Sequence, residues 1–302
     1  MSDIGAENPT GIIKDEKTKA LTHPTSTRLM TGDFSQPDEV RNILIRTKDS
    51  VADLKYVNTL RKNDPNISQE ELQRDRTIEK VRRWTELLRN GDVTRETFLD
   101  EVLPTVGVER DEQGRIILYH ATTFQNLIPV LEGGMLKPPT ETNNFVWRTV
   151  HEDASEDPHH VAKKEKVYLA KKSKIHTIAE AIRPSTHSGV YILEVKTDPD
   201  NLRPDEDARV DEDDDWARSL AIAGTASNKG RLTDISVVGR IDPSLGDEML
   251  DFIHRRYEAR TEEEKQKIDQ EYRQKIAEQN ETERKALEPF GINISALPSF
   301  EN

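Results

Sequence analysis

Eight histidines and no cysteine set the first bounds on the chemistry open to this chain. Without a thiol there is no thiolate nucleophile, no disulfide and no cysteine-ligated zinc. His151, Glu152 and Asp153, followed by His159 and His160, hold donor types a metal accepts. No two of them have the spacing that puts a histidine pair on one helix face, so the segment reads as a solvated loop and no metal is expected. The run Asp211-Glu212-Asp213-Asp214-Asp215 alternates carboxylates as a calcium loop does, yet Trp216 stands where such a loop needs its turn glycine and Ile222 where it needs its glutamate. Gly224 to Gly230 resembles a phosphate loop only superficially, because Lys229 precedes its glycine, and it reads as a flexible, substrate-facing loop. Three side chains on strand-like segments remain: His120, Tyr168 and Asp234. Alone, each has a plain reading as a packed histidine, a sheet tyrosine and a surface carboxylate, so any role rests on what surrounds them.

The elements that must position them follow from periodicity and turn chemistry. Val106, Val108 and Ile116-Ile117-Leu118-Tyr119 read as strands joined by a hairpin at Asp111-Glu112-Gln113-Gly114. Thr122 or Thr123 caps a helix whose face is Phe124, Leu127, Ile128 and Leu131, shortened or kinked by Pro129 and stopped at Gly133-Gly134. Residues 137–166 read as a loop. Further strands are expected over residues 166–170, 189–195 and 234–238, with a helix over 175–182 and an acidic loop over 205–215.

The flanks differ in composition. Only 33% of the 302 residues are hydrophobic and as many are charged, so the apolar core must be local. Residues 1–39 read as a disordered arm, 40–104 as a helical module, 105–245 as the α+β domain and 246–302 as a charged C-terminal helix and tail. Val51, Leu54, Val57 and Leu60 mark one helix of the module, and Leu72, Ile78, Val81, Leu87 and Leu88 a second. Ser68 and Glu71 form a capping box, Asn90-Gly91 a stop, and Thr94 caps a third helix through Phe98 and Val102. The helix after Asp247 carries apolar residues early and reads as solvated in its second half. A net charge of −13 disfavours nonspecific nucleic-acid binding. No stretch is long and apolar enough to span a bilayer, the N-terminus lacks a signal pattern, and a cytoplasmic protein without membrane partners is expected.

Tyr119-His120-Ala121-Thr122, then Val167-Tyr168-Leu169-Ala170, then Asp234-Ile235-Ser236-Val237-Val238-Gly239-Arg240-Ile241-Asp242-Pro243, resemble in order the three motifs of ADP-ribosyltransferase domains. The third motif departs from the family in having Asp where the family has Glu. Gly189 to Val195 with Asn201 to Asp207 also resembles the strand and acidic loop preceding the third motif in several bacterial and phage members, and the resemblance covers somewhat under half the chain. It implies an α+β fold of split mixed or antiparallel sheets with short helices, flanked by helical regions, and NAD as substrate without a metal. By this resemblance His120 bonds a ribose of NAD, Tyr168 stacks on the nicotinamide, and Asp234 stabilises the positive charge that builds on the ribose as the glycosidic bond breaks. Tyr119, Ala121 and Thr122 complete the implied NAD contacts. Asp is one methylene short of Glu, a reach deficit of about 1.5 Å. The implied activity is transfer of ADP-ribose to a macromolecular acceptor, protein rather than nucleic acid, with the helical flanks binding a partner or regulator. Two alternatives stay open: an RNA 2′-phosphotransferase-like enzyme, and a noncatalytic NAD-binding or ADP-ribose-binding or structural module of the same fold.

Overall fold

The structure, a computed structural model, describes residues 37–138, 166–183, 186–205 and 216–298. The N-terminal arm, the loop with its histidine cluster and the acidic run fall outside these residues, apart from their edges. The chain divides into two units, Met1–Ser50 and Val51–Asn302, and the boundary lies within helix α1, Pro37–Asn63.

In the second unit, α2 spans Gln69–Arg89 and α3 spans Arg95–Val106. The capping box of α2 forms as expected: Ser68 Oγ accepts from Glu71 N, and Glu71 Oε2 accepts from Ser68 N, each at 3.1 Å. Thr94 Oγ1 accepts from Thr97 N at 3.2 Å and begins α3. Val106 was expected in a strand but closes α3, because Pro104 is accommodated in the last turn and Gly107, at φ 72°, supplies the left-handed stop. Trp84, Val81, Phe98 and Val102 are buried between these helices and α6, Trp216–Ile222. The module therefore shares its core with the sheet domain.

The fold is α+β. Among the described residues its sheet has seven strands: β1 Glu109–Arg110, β2 Ile116–Thr123, β3 Lys166–Ala170, β4 Val190–Thr197, β5 Leu202–Arg203, β6 Thr225–Lys229 and β7 Ile235–Ile241. The spatial order is β5-β6-β3-β2-β4-β7, with β1 beside β2. Every ladder between these strands is antiparallel, which removes the mixed sheet from the expectation. The hairpin between β1 and β2 turns on Asp111, whose Oδ1 accepts from Gln113 N and Arg115 N at 3.0 and 2.9 Å.

Two strands are not those expected. β5 falls in a stretch with no apolar period, and β6, Thr-Ala-Ser-Asn-Lys, occupies the segment read as a flexible loop. β6 can be interior because its buried polar groups are satisfied: Ser227 Oγ donates to Pro204 O at 2.8 Å, and Asn228 Oδ1 accepts from Thr197 Oγ1 at 2.8 Å.

Helix α4, Phe124–Gly133, contains Pro129 and ends at Gly134. Helix α5, Lys172–Ile182, covers one face of the sheet, where Ile175 and Ala179 pack on Tyr119, Ala121, Val190 and Ile192. The expected single C-terminal helix is two, α7 Asp247–Glu258 and α8 Glu262–Leu287, the second begun by a capping box of Thr261 and Glu264. Its far end is not solvated as expected: Glu283 and Leu287 are both completely buried.

Candidate functional site

Strand β2 has two unequal edges. Along one, β4 pairs with every residue from Ile116 to Thr123. Along the other, β1 pairs with Ile116 and Ile117, and β3 joins only through Tyr119 opposite Ala170. Past that joint, residues 120–123 have no ladder partner on the β3 side among the described residues, so the sheet splits into halves, one carrying β1, β2, β4 and β7 and the other β3, β6 and β5.

His120 stands at the split. Its Nδ1 lies 2.9 Å from the carbonyl oxygen of Tyr168. A carbonyl only accepts, so Nδ1 carries the proton and Nε2 keeps its lone pair in the neutral ring. Burial pushes the His120 pKa below its ordinary value, against the smaller opposite effect of this hydrogen bond. The ring is thus held in one tautomer with Nε2 an acceptor, and among the described residues no donor meets that nitrogen. Tyr168 is half-buried on β3.

The neighbours of His120 are more deeply packed. Tyr119 and Ala121 belong to the core beneath α5, and Thr122 is buried opposite Tyr191. Burial also raises the Tyr119 phenol above its ordinary pKa, with Glu194 and Glu109 adding to the effect. Thr123, the N-cap of α4, makes no side-chain cap, and its buried Oγ1 has no partner among the described residues.

Asp234 is not brought to this place. Its carbonyl accepts from Lys196 N at 3.0 Å, which continues the ladder in which Lys196 lies opposite Ile117. Ile117 is three residues from His120, so Asp234 lies about 10 Å along the strands and two strands across. Side chains alternate between faces, and facing residues of a ladder share one. Asp234 therefore projects from the side of Ile117 and Tyr119, opposite to His120. There its carboxylate pairs with Arg115, whose guanidinium also bonds Asp111 at 2.8 Å through Nε. Asp234 is thus a half-exposed carboxylate paired with the hairpin, away from His120. Tyr168 meets the imidazole through its backbone carbonyl, while its side chain, two residues from Ala170, projects from the face of Tyr119 and Ala170, so the expected convergence of three side chains is not found.

The residues that border Tyr168 instead come from β6: Ser227 lies opposite it and Thr225 opposite Ala170. Nothing in their types marks them as a site, and their strand is legible only once its partners are known. Among the described residues no group of three or more His, Asp or Glu side chains could hold a metal.

A cavity of about 370 Å³ lies elsewhere, at the β5 edge, where Arg203 lies opposite Ser227 and so two strands from Tyr168. Its walls do not include His120. The tautomer fixed at His120 speaks more directly to ligand chemistry than cavity size does, so the split remains the candidate site. Neither the models of known protein families nor the curated proteins contain a match to this chain.

Proposed function

We propose that this chain is an NAD-dependent ADP-ribosyltransferase whose binding cleft is the split between β2 and β3. The observation that carries the reading is the His120 ring, locked by the Tyr168 carbonyl with its Nε2 left to accept a hydroxyl proton. The residues present fit such a ligand. Nε2 suits a ribose hydroxyl, and the half-buried Tyr168 ring on the neighbouring strand suits a planar group. NAD supplies an activated glycosidic bond; an acceptor nucleophile takes the ribose carbon as nicotinamide leaves, and the acceptor's proton passes to solvent or a base. In this reading the protein's residues orient and desolvate the dinucleotide, and Asp234 takes no part. The acceptor is a macromolecule, a protein in preference to the nucleic acid that the net charge repels.

A second reading is a module that binds NAD or ADP-ribose without cleaving it. It is favoured by β6, the strand beside Tyr168, which offers Thr225 and Ser227 and no carboxylate. Incubating the full chain with NAD, and measuring bound NAD and released nicotinamide, separates the two. Transferase activity predicts release by the wild type and by Asp234→Asn, with binding lost in His120→Ala and Tyr168→Ala. Binding without release supports the module, and unimpaired binding by both cleft variants overturns the site itself.

A further inference from the structure

The cavity at the β5 edge has apolar walls and a cationic rim. Phe98 and Leu99 of α3, Leu202 of β5 and Trp216 of α6 line it, and all four are buried. Arg203 on the rim is held in place, its Nη1 donating to the carbonyl oxygens of Asp200 at 2.8 Å and Leu202 at 2.6 Å. Among the described residues no carboxylate pairs with Arg203, whereas Arg95 on the same rim is paired with Asp200.

A guanidinium fixed by backbone has little entropy left to lose on meeting an anion, and its planar fork matches a carboxylate. The walls are suited to a hydrocarbon ring. Apart from Arg203, the Arg95–Asp200 pair and the indole N–H of Trp216, the lining residues offer no side-chain donor or acceptor for the edge of a nucleobase, which would lose most of its hydrogen bonds to water on entering. We propose that this cavity binds a small aryl carboxylic acid, its ring against Phe98 and Trp216 and its carboxylate on Arg203. The site is separate from the split at His120 and does not depend on NAD.

Titration calorimetry on the full chain without NAD tests this, using 3-phenylpropionate, its neutral amide 3-phenylpropionamide, and AMP. The acid should bind with saturation, and the amide and AMP about tenfold or more weakly, roughly the effect of one charge-assisted hydrogen bond. Arg203→Ala should lose that advantage of the acid while leaving the far-UV circular dichroism and melting midpoint near wild type, since the side chain is exposed. The acid–amide comparison on wild type needs no variant and stands if the variant fails to fold. Equal binding of acid and amide, preference for AMP, an unchanged acid affinity in Arg203→Ala, or no binding of any of the three would each overturn the proposal.

Discussion

Two arginine–carboxylate contacts anchor opposite ends of the same sheet, and they are built on different terms. At the hairpin end, Arg115 meets Asp234, whose side chain is 44% exposed. At the other end, Glu283 of α8 is wholly buried and accepts from Gly189 N at 2.8 Å, Tyr191 Oη at 2.6 Å, Arg240 Nη2 at 3.0 Å and Gln279 Nε2 at 3.0 Å. Gly189 is needed there, since a Cβ would meet Glu283 Oε2 at 2.9 Å. The Arg240 guanidinium also lies over the Tyr191 ring, 5.6 Å from its centre. A buried ion has exchanged its water for protein donors and loses heavily when one partner goes, whereas an exposed pair has water to return to. The charged C-terminal helix is thereby part of the domain, although most of its surface is polar.

The largest expected effect lies at the buried end. Glu283→Ala leaves the Tyr191 hydroxyl and the Gly189 N–H buried without their acceptor and Arg240 with only Asp242 and Asn280, and should cost about 3–5 kcal/mol in urea unfolding. Burial, with Glu283 beside it, raises the Tyr191 phenol above its ordinary pKa, so the ring stays a donor throughout the neutral range. A change near zero would show that α8 does not depend on this seat.

A smaller effect is expected at His120, which lies between these ends. Its pKa is lowered in the fold by burial, so the folded state resists a proton that the unfolded chain accepts. Relative to His120→Gln, wild-type stability should be constant above the ordinary histidine value, about 6.5, and should fall as pH drops from there through the lowered folded value. A difference that is flat with pH, or that grows with acidity, would contradict a neutral ring at the split.

The smallest effect is expected at the hairpin: Asp234→Ala should leave the urea midpoint unchanged within error, because solvent screens the pair and Arg115 keeps Asp111. A loss matching that of Glu283→Ala would erase the distinction between the two ends.

Much of this was legible from residue order. The capping boxes and glycine stops close hydrogen bonds within a few residues, so Ser68, Thr94 and Gly134 could be read without any fold. The apolar strands β2, β4 and β7 announce themselves because a run such as Val190-Tyr191-Ile192-Leu193 has no stable place but a core. Motif order points to His120 and Tyr168, and the His120 ring bonds the backbone carbonyl of Tyr168.

What no local pattern carried is everything set by register between distant segments. Asp234 sits on the wrong face and several residues too far along, and one step in a ladder reverses the side a chain points to. Polar β6 became an interior strand, and Glu283 a buried ion, because donors and acceptors from far along the chain, at Pro204, Thr197, Gly189 and Arg240, satisfy them. Composition measures the cost of burying such groups, but the compensating partners exist only when the chain has folded.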